Sequence, residues 1–222
     1  TTLAAARAQT DAATARDLQR EAWAYQELAS RFLAPVTPEL IAIGGLSGAG
    51  KSTVAVGLAP LRGPSPGAVV LRSDVIRKRI FGLAPEARLP KRAYERAVTA
   101  QVYSQIADIA SLLLDSGCCV VVDAVYAEPA ERDVIEAVAR NADAPFQGIW
   151  LSAPQDVLQG RVAGRCGDAS DADGAIVKQQ LTYDLGPVRW SAVDASGPRD
   201  ATLRIARGII EASFVAGSRD GR

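Results

Sequence analysis

Residues Gly45 to Thr53 read Gly-Leu-Ser-Gly-Ala-Gly-Lys-Ser-Thr and fit the spacing G-x-x-x-x-G-K-[ST]. The run before them, Leu40-Ile41-Ala42-Ile43, is short, apolar and followed by glycine, as in a strand buried on both faces of a parallel sheet. The stretch after them, Lys51 to Leu58, has a helical pattern. Between a strand and a helix, such a loop curls so that successive backbone N–H groups point inward and cradle phosphate oxygens. The positive end of the following helix adds to that field. Gly45, Ser47, Gly48, Ala49 and Gly50 are therefore expected to form the cradle. Lys51 is expected to place a mobile charge on the outer phosphates, Ser52 to offer its hydroxyl to magnesium, and Thr53 to touch the inner phosphate.

The rest of the chain repeats the alternation. Apolar runs at Ala68 to Leu71, Cys118 to Val122, Phe146 to Leu151 and, more weakly, Val188 to Val193 read as further strands. Helical stretches lie between them at Lys91 to Leu114, Pro129 to Arg140, Gln155 to Ala163 and Ala175 to Leu181, with Arg199 to Ala212 last. This pattern predicts an α/β fold, a parallel sheet covered on both faces by helices. Ahead of it, Leu3 to Leu33 is alanine-rich and free of proline and glycine, with Leu18, Ala22, Tyr25, Leu28, Ala29 and Phe32 at helical spacing. It reads as one long helix ended by Pro35 and Pro38. The expected division is a helical connector over 1–37, a sheet domain over 38–217 and a tail over 218–222.

Candidate groups for the accepting side sit at strand ends, which face the ligand crevice in open parallel sheets. Asp74 follows the second strand, placed to take a proton from a substrate hydroxyl, and Arg77 lies one turn on, placed to hold substrate or orient Asp74. The same spacing suits a helix cap and a surface charge. Asp123 closes the third strand as an acid that holds magnesium, directly or through water, or binds the acceptor. Arg161 and Arg165, with Gly164 and Gly167 beside the latter, match a lid whose arginines reach phosphates on closure; an exposed helix end is the simpler reading of the spacing alone. Arg72 to Arg96 holds eight basic and three acidic residues, a solvated helix surface or an attractor of anions. Arg132, between Glu128 and Glu136, reads as a salt-bridged surface residue.

Composition removes whole classes of chemistry. With no histidine, the chain holds no Ser-His-Asp triad and no histidine-ligated zinc. Lysine plus arginine and aspartate plus glutamate both number 25, so bulk charge does not hold the chain to nucleic acid or an anionic membrane. Three cysteines, Cys118, Cys119 and Cys166, are too few for a disulfide framework, which suits a reducing cytoplasm. No uninterrupted apolar run reaches the ~20 residues of a membrane span. The chain opens at Thr1 and has no methionine, which fits a processed product or a piece of a longer protein.

Gly45 to Thr53, Leu71-Arg72-Ser73-Asp74-Val75-Ile76-Arg77-Lys78-Arg79-Ile80-Phe81-Gly82, Val122-Asp123-Ala124, and Arg161 to Arg165 with Gly167-Asp168-Ala169-Ser170-Asp171-Ala172 together resemble the P-loop kinase-like ATPases. That group includes polynucleotide kinase, gluconate kinase and zeta-toxin relatives. The likeness is greatest to the kinase-like domain fused behind an aminoglycoside-phosphotransferase-like domain in bacteria, and covers about Pro38 to Ala212. It implies strand order 2-3-1-4-5 with a small helical lid, and transfer of the γ-phosphoryl group of ATP, with magnesium, to a hydroxyl of a small molecule. By resemblance, Asp74 is the base, Arg77 and Asp123 serve substrate or metal, Arg161 stacks on adenine and Arg165 reaches the phosphates. A loop at Ala195-Ser196-Gly197-Pro198 is expected to frame the base. An upstream phosphotransferase-like domain is the implied partner, and Thr1 to Ala34 the connector from it. Alternative roles are a 5′-hydroxyl kinase of polynucleotides or nucleosides, and a nucleotide-binding regulatory module.

Overall fold

A computed structural model describes residues 11–33, 37–84, 86–164 and 174–217. The chain divides into two compact units, Thr1–Val36 and Thr37–Arg222. The first holds helix α1 (Ala12–Leu33), in which Asp11 accepts from the Thr14 N–H at 2.9 Å as an N-terminal cap. Trp23, Tyr25 and Leu28 on this helix are exposed.

The second unit is an α/β sandwich. Five parallel strands, β1 (Leu40–Gly44), β2 (Val69–Arg72), β3 (Val120–Asp123), β4 (Phe146–Ser152) and β5 (Ser191–Asp194), run in the order β2-β3-β1-β4-β5. The strand order is the one the resemblance implies. Apolar runs form these strands because both faces are covered. Leu40, Ala42, Val120 and Val122 face one cluster, and Ile41, Ile43 and Val121 the other. The first cluster packs under α4 (Arg96–Asp115) and α5 (Pro129–Asn141), with Ile106, Ile135, Trp150 and Trp190 at its centre. The second lies under α2 (Lys51–Leu58), α6 (Gln155–Ala163), α7 (Gly174–Gln180) and α8 (Arg199–Gly217), with Val54, Leu58, Leu158 and Ile210.

Three expectations shift. The strand before Asp74 ends at Arg72, and α3 (Ser73–Ile80) already includes Asp74 in its first turn. The helix expected over Lys91 to Leu114 is two pieces: a 3-10 turn over Lys91–Tyr94, then α4, parted by Glu95 in an extended conformation (φ −62°, ψ 151°). By length and composition α4 is also apolar enough to cross a membrane; here Val102, Ile106, Ala110 and Leu114 bury one face of it in the sheet domain.

Arg132 corrects the third. It is buried and donates to the carbonyls of Tyr126 at 2.6 Å, Ala127 at 3.1 Å and Leu185 at 2.5 Å. No surface ion pair with Glu128 or Glu136 holds it. An arginine satisfied by main-chain acceptors can be buried, because its donors replace the hydrogen bonds lost from water.

Candidate active site

Parallel register builds the site. At the carboxyl ends of the strands Asp123 stands beside Ile43 on one side and Arg72 on the other. The chain leaves β1 into the phosphate loop and re-enters helix at Lys51. Gly48 sits at φ +90°, where a Cβ would come within 2.5 Å of the Leu158 carbonyl oxygen. Gly50, the residue before α2, sits at φ +94°, and a Cβ there would meet no atom within 4 Å. The first glycine is needed for close approach to neighbouring backbone, the second for a left-handed turn beside open space.

The Ser52 hydroxyl donates to Asp123 Oδ2 at 2.6 Å. The Arg72 guanidinium reaches the same pair, at 3.0 Å from Ser52 Oγ and 3.3 Å from Asp123 Oδ2. Lys51 Nζ donates to the Leu46 carbonyl at 3.2 Å, within the loop it follows. A hydroxyl, a carboxylate and a lysine at the start of a helix are the oxygen donors and the cation that a magnesium–triphosphate pair requires, and the open cradle at Gly50 leaves room for the phosphate. The residues present fit that group.

Ser47, Lys51, Ser52, Asp74, Arg77 and Asp123 all line one cavity of about 160 Å³. The structure thus brings together the loop, the strand-end acid and the proposed base, which lie far apart in sequence. Arg77 is buried, donates to the Ala93 carbonyl at 2.6 Å and to Thr99 Oγ1 at 3.2 Å, and lies 5.2 Å from the centre of the Tyr94 ring. Its Nε is buried without a partner. The solvated-surface reading of the basic stretch does not describe Arg72, Arg77 and Lys78: the first bonds Ser52 in the site and the other two are buried.

Arg161 lies elsewhere, with Ala49, Gly50 and Thr53, along a small pocket on the other side of the loop. It donates to the carbonyls of Ala195 at 2.7 Å and Gly197 at 2.8 Å, and so ties down the loop expected to frame the base. Arg165, and Cys166 beside it, lie outside the described residues.

Several residues of this cavity carry no functional signal in the sequence, Gln180, Tyr103, Tyr183 and Glu131 among them. Gln180, on α7, accepts from the Ser47 N–H. Tyr103 and Tyr183 line the accepting side together with Glu131. Burial pushes the Tyr103 phenol well up, and burial raises Glu131 as well. Only Glu131 left a readable trace: Glu128 and Glu131 have the spacing of a capping box, which the structure contains.

Three comparisons bear on this arrangement. A family model described as an AAA domain matches residues 40–183. An uncharacterized protein of Mycobacterium tuberculosis is 30% identical over 184 residues, covering 79% of this chain and 35% of the relative, so the chain spans about a third of the length of that curated relative. Among solved structures, an APS kinase of Mycobacterium tuberculosis in complex with AMPPNP and APS is 21% identical, with a TM-score of 0.60 over 80% of this chain and 99% of the other. A gluconokinase of Sinorhizobium meliloti is 22% identical, with a TM-score of 0.58 over 83% and 98%. The chain belongs to this AAA-domain family and shares the fold of these two solved kinases.

Proposed function

We propose that the chain is a phosphotransferase that uses ATP and magnesium to phosphorylate a hydroxyl of a small molecule. One observation carries the reading: Lys51, Ser52 and Asp123 share a single cavity with Asp74. Phosphoryl transfer needs positioning and charge neutralisation more than covalent chemistry, and these groups supply both.

Bound ATP supplies the transferable group, and magnesium neutralises its charge. Lys51 neutralises outer phosphate oxygens from the start of α2. Ser52 and Asp123 would hold the metal. Asp74 takes the proton of the acceptor hydroxyl as its oxygen forms a bond to the γ-phosphorus. The bond from that phosphorus to the bridging oxygen breaks, and the electron pair leaves with the nucleoside diphosphate. Arg77 positions the acceptor side of the cavity. Arg161 has its hydrogen bonds in the guanidinium plane, so a flat face remains for the adenine to stack on. Arg165 closes over the transferring group. Two free cysteines among the described residues, Cys118 and Cys119, fit a cytoplasmic setting. The solved kinases with this fold, which by name act on gluconate and APS, support a small-molecule acceptor.

The test is a bacterial metabolite extract incubated with ATP and magnesium, comparing the natural chain with Lys51→Ala. The expected result is a metabolite that gains the mass of one phosphate only with the natural chain. No such product, or equal product from the variant, removes the reading.

A further inference from the structure

We infer that Glu131 is a specificity-determining residue of the acceptor site, and that the acceptor is a polyol presenting a hydroxyl or an ammonium group, never an anion, to that carboxylate. The inference rests on the phosphotransferase reading and narrows its substrate.

Glu131 stands on the wall of the cavity that holds Asp74 and Asp123. With Thr99 and Tyr103 it also lines a neighbouring groove of about 370 Å³ between α4 and α5. The wall is built rigidly. Glu131 Oε2 accepts from the Glu128 N–H at 3.1 Å. The Tyr103 hydroxyl accepts from the Tyr126 N–H at 2.9 Å and bonds the Glu131 side chain. Tyr126 holds this arrangement from a left-handed backbone conformation, φ 54°, with its carbonyl fixed by Arg132. Strained residues of this kind persist where surrounding contacts over-determine them.

An ionised carboxylate has about four acceptor positions and no donor. The Glu128 amide and the Tyr103 hydroxyl use part of that capacity, and the rest faces a cavity wall. Arg132 spends its donors on the carbonyls of Tyr126, Ala127 and Leu185. Arg77 spends an amine on Ala93 and Thr99. Neither makes a direct ion pair with Glu131 among the described residues, and the nearby charge of Arg132 offsets the burial of Glu131 only as a lesser effect. Burial already makes the charge of Glu131 costly, as its raised titration records. A donor group of the acceptor relieves that cost, and an ammonium does so most. A second anion at this wall adds repulsion to desolvation. Tyr103 and Tyr183 also line the cavity, and aromatic side chains suit the C–H face of a polyol.

Glu131→Gln separates this role from the structural one. Glutamine serves equally at the third position of a capping box, so the start of α5 keeps its cap. A bacterial metabolite extract is first divided by ion exchange into anionic, neutral and cationic pools. Each pool then receives labelled ATP, magnesium and the full chain. The expected product arises from the neutral or cationic pool. Glu131→Gln raises KM for that acceptor about tenfold, the usual effect of losing a charge-assisted hydrogen bond, while calorimetric ATP affinity is unchanged. Product from the anionic pool alone, or a KM that the variant leaves untouched, overturns the inference while transfer itself stands. Absence of ATP binding, or of product from every pool, overturns the phosphotransferase reading and the inference with it.

Discussion

The side-chain oxygen of Gln180 accepts from the backbone N–H of Ser47 at 2.8 Å, joining α7 to the phosphate loop across 133 positions of sequence. Both residues are buried. Gln180 thus satisfies an amide of the loop. Gln180→Ala leaves that amide without a partner, a loss of about 1–3 kcal/mol. Phosphate oxygens restore the partner, so the loss shrinks when nucleotide binds. Thermal unfolding is expected to show a lower Tm for the variant alone and a larger upward shift with ATP and magnesium than in the natural chain. Equal shifts in the two proteins would show that the Ser47 amide does not meet phosphate.

Arg132 gives a prediction about stability alone. Its guanidinium joins the end of β3 to the segment before β5 through the carbonyls of Tyr126, Ala127 and Leu185. Arg132→Ala strands the buried carbonyls of Tyr126 and Ala127 and the part-buried one of Leu185, and opens a void beside Trp150, whose ring centre lies 5.9 Å from the guanidinium. The expected loss is about 3 kcal/mol or more, read as a lower urea midpoint. A loss within about 0.5 kcal/mol, the usual range for an exposed position, would return Arg132 to the surface.

What the sequence made legible was local. A strand, a glycine-rich turn and a helix in unbroken succession announce themselves within Leu40 to Leu58, because each depends on near neighbours. Asp123 was legible as the last residue of an apolar run. Arg72 was not, because its partner comes from register: β2 lies beside β3 so that Arg72 faces Asp123. Arg132 was misread for a related reason. Glu128 and Glu136 at helical spacing suggest an exposed pair, whereas burial of the guanidinium depends on Leu185, 53 positions on. The break at Glu95 had no signal, since an alanine-rich stretch without proline or glycine favours helix on both sides of it.

Glu131 makes stability depend on pH with a defined sign. Burial holds its carboxyl above the ordinary glutamate value of 4.5. Above that pH the folded chain keeps a proton that the unfolded chain has lost, so stability falls as pH rises until the folded group has ionised. The contribution is fully present below the ordinary value. Glu131→Gln does not titrate. The Tm of the variant relative to the natural chain should therefore climb with pH through this window and then level. A difference that stays flat would place Glu131 in water.

In the proposed reaction Asp74 takes the acceptor proton, and its variant separates binding from transfer. It sits in the first turn of α3, in the cavity shared with Lys51 and Ser52. Negative charge in a first turn also favours the helix, through the orphan amides there. Asp74→Asn keeps the size of the side chain and one acceptor oxygen, so the helix persists at a cost of about 0.5 kcal/mol. What it removes is the capacity to take a proton. General-base catalysis contributes about a hundredfold to ten-thousandfold, and turnover should fall by that much while ATP affinity holds. A variant with undiminished transfer would move the base to another group, with Glu131 the next carboxylate on the same wall.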